Sequence, residues 1–401
     1  MSRIDRSRAD PEKTHELNAA LSAFSCIRCQ SQWPIADYFE GCPRCLRAGK
    51  PSSLRAEYRR WPNELSAVGK RGMARYAAWL PYTSWVTLGE GGTPCTSFPS
   101  LAKELNAGSI FIKNEGLNPS GSHKDRATSL TVTRAIDVGA TTIIAASSGN
   151  AGASLALYAA AGGIKCSIVT TPALSPIYRR AITMTGADIV TVPETLQRWR
   201  HVAEMVKDRG WFPVTNYLQP PVGSNHFGLD GLKTLAYELF EDLAAENLDA
   251  VLIPTSRGDL IWGLYEGFRQ LKETGLLEAV PRLFAIEPFP RISRVLAGAE
   301  FTASFPGDTA LVSINGFTVT YQAMEAIRGS GGGAVVVDER AVVRDQRRLA
   351  QHGCYVELSS AATVTGLTVL LDDDRIARDA SVVLIATATG SRDLPQAWSA
   401  E

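Results

Sequence analysis

The chain has 401 residues, 45% hydrophobic and 20% charged, and its 41 basic and 41 acidic side chains balance to a formal net charge of zero. That length supports two packed domains plus a smaller module, and the balanced charge excludes a general attraction to nucleic acid or acidic lipid. No apolar run approaches the ~20 residues needed to span a bilayer and the N-terminus is polar, so a cytoplasmic protein without a membrane partner is expected.

Residues 1–20 are charged and lack apolar periodicity, which predicts a flexible tail. Residues 21–50 contain Cys26-Ile-Arg-Cys29 and Cys42-Pro-Arg-Cys45. Each pair offers two thiolates from one tight turn, and two such turns complete a tetrahedral sulfur site with no open position. A structural zinc ribbon with Cys26, Cys29, Cys42 and Cys45 as ligands is therefore expected, stabilising a module too small for its own core. The alternative is a ribbon of four free cysteines that binds no metal. Cys95, Cys166 and Cys354 are scattered, so a disulfide framework is not indicated.

A Trp- and Arg-rich connector carrying Trp61, Trp79 and Trp85 leads to the turn signal Gly89-Glu90-Gly91-Gly92-Thr93-Pro94. Short apolar runs then alternate with helical stretches. Ser109–Lys113, Thr141–Ala146, Lys165–Thr170, Asp188–Val192, Ala250–Pro254, Arg282–Glu287 and Ser381–Ala386 read as strands, and Ala151–Ala161 and Leu260–Leu271 as helices. Buried strands separated by helices predict parallel sheets covered on both faces. The units are too many for one small sheet, so the fold class is α/β with two domains. A large domain is expected over 51–105 and 215–401, and a small one over 106–214. The Gly-rich patch 329–333 reads as a flexible surface turn, and His15, His201, His226 and His352, without metal-ligand spacing, as surface or helix-cap residues.

The chemistry centres on Asn118-Pro119-Ser120-Gly121-Ser122-His123-Lys124-Asp125-Arg126. Asn-Pro and Ser-Gly force a turn, and helical composition follows, so Lys124 falls in the first turn of a helix. The positive end of the dipole there helps to keep its amine deprotonated and nucleophilic. By itself such a lysine is an ordinary solvated helix start.

Its surroundings are more specific. The nine-residue motif resembles the Schiff-base motif of threonine synthases and related type II pyridoxal-phosphate enzymes, the tryptophan synthase β-like superfamily. Five further segments match that family in order: Leu88–Pro94, Ser147-Ser148-Gly149-Asn150-Ala151-Gly152, Leu229–Thr234, Glu357–Ala362 and Thr387–Asp393. The N-terminal cysteine module also has counterparts among threonine and cysteate synthases. The resemblance implies the two-domain fold of that superfamily, with the cofactor in the cleft between domains. It also implies that Lys124 carries pyridoxal 5'-phosphate and that Asn150 stands beside the cofactor's 3-hydroxyl. Thr387 would face the pyridine nitrogen. Ser147, Ser148, Gly149 and Ala151 would receive the substrate carboxylate at a helix start.

One segment departs from the pattern. Where the family has a Gly-rich phosphate loop, this chain has Thr255-Ser256-Arg257-Gly258-Asp259. Asp259 would repel a phosphate unless it turned away, whereas Arg257 and the hydroxyls of Thr255 and Ser256 would attract one. His123 also replaces the aromatic residue usual in threonine synthases, which suggests that His123 and Arg257 share the cofactor phosphate.

A neutral hydroxyl at Thr387 makes the ring a weaker electron sink, which suits elimination and replacement. The expectation is a threonine-synthase-like lyase, a homodimer acting on an amino acid with a β- or γ-leaving group such as O-phosphohomoserine. The alternatives are a β-eliminating or β-replacing enzyme on serine, phosphoserine or cysteine-type substrates, and a non-catalytic zinc-ribbon binding protein.

Overall fold

A computed structural model describes residues 15–244 and 246–393. The N-terminal module contains β1 (Glu16–Leu17), β2 (Leu21–Cys26), β3 (Gln32–Trp33) and β4 (Leu54–Tyr58), and β5 (Tyr82–Ser84) lies at the end of the connector. β2 is the centre of an antiparallel sheet of order β3-β2-β4, and β1 pairs with β5. The ribbon thus extends beyond the expected limit at residue 50. Of the tail expected over 1–20, the first fourteen residues lie outside the described ones, and Glu16–Leu17 is strand. Strands of two residues carry no period that a sequence can reveal.

The remaining strands are β6 (Cys95–Ser97), β7 (Ser109–Asn114), β8 (Thr142–Ala146), β9 (Lys165–Thr170), β10 (Asp188–Thr191) and β11 (Phe212–Pro213), followed by β12 (Ala250–Pro254), β13 (Arg282–Glu287), β14 (Gly333–Val336) and β15 (Ser381–Ala386). They form a four-stranded parallel sheet, β10-β9-β8-β11, and a six-stranded sheet, β14-β13-β12-β15-β7-β6, parallel except for its edge strand β6. The two sheets are the expected α/β units. β8, β12 and β15 are buried along their whole length, because helices cover both faces.

One expectation is corrected and another narrowed. β7 was assigned to the small domain, but it pairs with β15 over six residues in the large sheet. A parallel strand has no turn-linked neighbour to reveal its sheet, so a boundary at residue 106 could not be tested against the sequence. The Gly-rich patch is a surface turn at residues 330–331, as expected, but its flanks are tightly packed. Gly329 ends the helix Tyr321–Gly329 and Gly333 opens β14. A Cβ at Gly329 would collide with the Tyr265 hydroxyl, and one at Gly332 with the Leu283 carbonyl. These glycines permit close packing rather than motion.

His226 is a third difference. It starts the helix His226–Leu229, is only 4% exposed, and packs edge-on against Phe24 of the ribbon. Its Nε2 lies 3.0 Å from the Ala36 carbonyl, so this histidine joins the N-terminal module to the body of the protein.

Candidate active site

The loops after β8, β12 and β15 converge on one cavity of about 860 Å³. Among the helices that start there are Lys124–Asp137, Asn150–Gly162, Asp259–Glu273 and Leu358–Asp372. Several positive dipole ends therefore meet in one space, which favours anions and disfavours added positive charge.

Lys124 is half-buried in the wall of this cavity, at the first position of its helix. Burial lowers the pKa of its amine; nearby Asp259 and Glu357 oppose that shift and Arg257 reinforces it. The two residues after it fix the helix start. The Asp125 carboxylate accepts from the Ser120 amide and the Ser154 hydroxyl, both at 2.6 Å. The fully buried Arg126 guanidinium lies 2.7 Å from both Glu115 and Glu238. Lys-Asp-Arg is thus one amine at the cavity wall followed by two anchors.

His123 is buried, with its Nδ1 3.2 Å from the Thr387 carbonyl. Burial first, and then Lys124, hold its pKa well below the usual histidine value. Nδ1 is committed to that carbonyl, so the interaction available to the cavity is through Nε2.

The turn after β8 is tightly locked. Ser147 Oγ accepts from the amides of Gly152 (2.9 Å) and Gly149 (3.3 Å). Ser148 Oγ lies 2.9 Å from Thr170 Oγ1 and accepts from Arg198 Nη1 at 2.8 Å. Both serines line the cavity as expected, but their hydroxyls already have partners within the protein. The open donors of this turn are the amides of Asn150 and Ala151, which have no partner among the described residues. Asn150 donates through Nδ2 to Glu357 Oε2 at 3.0 Å and accepts at Oδ1 from the Tyr178 hydroxyl at 2.9 Å.

The turn after β12 is held from behind. The buried Arg291 guanidinium collects the carbonyls of Thr255 (2.7 Å), Ser256 (2.8 Å) and Gly316. With its carbonyls tied back, the amides of Ser256, Arg257, Gly258 and Asp259 have no partner among the described residues. Gly258 sits at φ +103, and a Cβ there would collide with Ala323. Asp259 is drawn aside: its carboxylate accepts from the Ser224 hydroxyl at 2.5 Å and from Gln322 Nε2 at 2.6 Å. Open amides at the start of a long helix, with the one acidic side chain drawn aside, fit the phosphate of a pyridoxal cofactor. Arg257 lies over the Trp199 ring, 5.5 Å from its centroid. Neither Arg257 nor Arg198 forms a salt bridge to a carboxylate among the described residues.

The chain's residues 86–388 match a family of pyridoxal-phosphate dependent enzymes. The chain belongs to that family. The enzyme is 30% identical over 383 residues to a threonine synthase of Methanocaldococcus jannaschii, an alignment covering 92% of each chain. It is likewise 30% identical over 385 residues to a threonine synthase of Methanosarcina acetivorans, covering 90% of each. Its fold is shared with O-ureido-L-serine synthase (TM-score 0.61, 24% identity, 76% of this chain and 91% of that one). Maize serine racemase is comparable, with a TM-score of 0.65 and 20% identity over 76% of this chain and 90% of that one. This is a threonine-synthase-like enzyme of the pyridoxal-phosphate class.

Every residue expected at the cofactor or substrate lines the cavity: Lys124, His123, Asn150 and Thr387, Ser147 to Ala151, and Thr255 to Gly258. Sequence reasoning passed over Glu357, Arg198 and Arg291. Glu357 had a visible signal, because it is the only charge at the start of the apolar helix Leu358–Asp372. Away from the cavity, the Sγ atoms of Cys26, Cys29, Cys42 and Cys45 all lie within 4.8 Å of one another. The contacts Cys26–Cys45 and Cys29–Cys42 measure 3.6 and 3.7 Å. The edge of a tetrahedron with ~2.3 Å metal–sulfur bonds is about 3.8 Å, so this donor set fits zinc.

Proposed function

We propose that the enzyme acts on an amino acid with an anionic β- or γ-leaving group, O-phosphohomoserine being the substrate that best fits, and forms threonine from it. The observation that carries this is the pair Arg198 and Arg257. Two guanidiniums face one cavity without a salt bridge from either to a carboxylate among the described residues, and burial pushes the Arg198 pKa down to about 10, with Arg257 adding to the shift. A site that tolerates this is built to receive negative charge, and a cofactor phosphate together with a substrate phosphate would supply it.

Pyridoxal phosphate, when bound, supplies the electron sink that lets bonds at and beyond the substrate's α carbon break heterolytically. Lys124 holds it and, once freed, carries protons to and from the substrate carbons with an amine whose pKa burial has lowered. The amides of Ser256 to Asp259 cradle the phosphate, with the Thr255 and Ser256 hydroxyls beside them, Arg257 adding charge and the neutral His123 ring lining the same pocket. Asn150 lies beside the 3-hydroxyl and Thr387 beside the ring nitrogen. The substrate carboxylate takes the free amides of Asn150 and Ala151 in the turn that Ser147, Ser148 and Gly149 shape. Arg198, steadied by Ser148, takes the leaving group. Zinc on the four cysteines is structural, since the sulfur set leaves no open position.

The test is a substrate panel. Inorganic phosphate and threonine from O-phosphohomoserine are expected, and Arg198→Met should raise KM for that substrate by about 10- to 100-fold, the weight of one charge-assisted contact. Pyruvate or a β-substituted alanine from serine derivatives, with no threonine formed, would replace this reading with β-elimination or β-replacement.

A further inference from the structure

Glu357 stands at the meeting point of the groups assigned to the cofactor ring, and no role has so far been given to it. Its carboxylate is 4% exposed and accepts three hydrogen bonds: from Thr387 Oγ1 at 2.9 Å, Ser313 Oγ at 2.8 Å and Asn150 Nδ2 at 3.0 Å. The charged groups around it are Lys124, Arg392 and Asp393, with the Tyr178 phenol alongside.

A count of protons fixes the direction of every bond at Thr387. A hydroxyl has one proton and two lone pairs. Ser360 Oγ accepts from the amides of Thr387 (2.9 Å) and Ala388 (3.3 Å), so both of its lone pairs are occupied. Its own proton must then bridge the 2.8 Å to Thr387 Oγ1. Thr387 therefore accepts from Ser360 and donates its only proton to Glu357. What it has left for the cavity is a lone pair. A bare pyridine nitrogen is also an acceptor and cannot bond to it, whereas a protonated ring nitrogen can.

We propose that Glu357 is a positioning residue that, through the Thr387 hydroxyl, keeps the ring nitrogen of the bound cofactor protonated. The proposal rests on the reading that places Thr387 beside that nitrogen. One proton is shared along the row from nitrogen to hydroxyl to carboxylate, and it can sit at either end without changing the net charge. Ser313 and Asn150 favour the carboxylate end being ionised, which leaves the proton on the nitrogen. Burial first, and the charge of Asp393, leave the Glu357 pKa above its ordinary value although its three donors lower it; a cation one hydroxyl away acts in the same direction as the donors and is what would return the carboxylate to its ionised form. The neutral Thr387 hydroxyl is thus the visible end of an acidic group, and the ring is a stronger sink than the hydroxyl alone implies.

The experiment is nitrogen-15 NMR of the holoenzyme reconstituted with ring-labelled pyridoxal phosphate. The wild type should show the protonated-nitrogen signal. Glu357→Gln, whose amide can donate to Thr387 and turn its hydroxyl toward the ring, should lose it. Thr387→Val, which cuts the relay without touching the carboxylate, should lose it as well and serves if Glu357→Gln does not fold. Ser313→Ala removes a donor to the same carboxylate but leaves the relay, so it should keep the signal. An unprotonated nitrogen in the wild type, or the same signal in the wild type and Thr387→Val, overturns the proposal. Failure of the wild type to take up cofactor at all would instead overturn the reading on which it rests.

Discussion

The turns after β8 and β12 have the same construction and opposite chemistry. Each leaves the carboxyl end of a fully buried parallel strand and opens a helix onto the cavity. The first, Ser147–Ala151, is made of small residues and locked from within by the Ser147 hydroxyl. The second, Thr255–Asp259, carries an arginine and an aspartate and is locked from outside by Arg291, Ser224 and Gln322. A turn can present open amides either because its side chains are small or because neighbours hold its larger ones away. The first solution is visible in a local motif, and the second depends on residues more than thirty positions distant.

The largest expected difference between them is at their glycines. Gly258→Ala forces a side chain into a left-handed conformation and against Ala323, and should cost about 3 kcal/mol of stability. Gly149 has extended φ, with the nearest atoms of the Tyr178 ring 3.9 Å from a built Cβ, so Gly149→Ala should stay within about 1 kcal/mol. Denaturant titration of the two variants makes the comparison. Equal losses would mean that the second turn is no more constrained than the first.

This contrast also explains what the sequence made legible. β9, β12, β13 and β15 have the bounds expected from their apolar runs, because strands buried on both faces advertise themselves. Lys124, Asn150 and Thr387, which the structure brings to one cavity, could be singled out because they sit in contiguous motifs. Arg291, Gln322 and Ser224 were not, because each acts on the second turn from another element and none has a local pattern. Glu357 was seen as part of a helix start, and its buried contacts with Asn150 and Thr387 join positions 207 and 30 residues apart. His226 was misjudged for the same reason: its partners, Phe24 and the Ala36 carbonyl, lie in the ribbon. Burial lowers its pKa to about 4. A base with a depressed folded pKa destabilises the fold when protonated, so its contribution is complete above pH ~6.5 and falls as the pH drops toward 4. The loss should be about 3 kcal/mol. His226→Asn should flatten that acid limb of the stability curve, and an unaltered limb would assign it to other groups.

The next effect sharpens the charge difference. If the second turn uses side chains where the first uses amides alone, Arg257→Ala should weaken cofactor binding by about 10- to 100-fold, and His123→Phe by somewhat less. Spectroscopic titration of the apoenzyme with pyridoxal phosphate reads both. Unchanged affinity in both variants would mean that the amides of Ser256 to Asp259 suffice, and the two turns would then differ in composition but not in mode of binding.

The smallest effect falls on the first turn. Ser147→Ala removes one hydroxyl that accepts from two amides, those of Gly149 and Gly152. Its stability cost should be about 1 kcal/mol, as for a lost helix cap. The informative readout is not stability, however. Once released, the Gly149 amide becomes a further donor facing the cavity, and the turn loses the bond that holds its shape. If the turn's rigidity is what presents the Asn150 and Ala151 amides to a carboxylate, KM for the amino-acid substrate rises while cofactor affinity, proposed to be set at the second turn, does not move. A fall in cofactor affinity of the same size would show that the two turns are not independent, and that the lock on one also shapes the other.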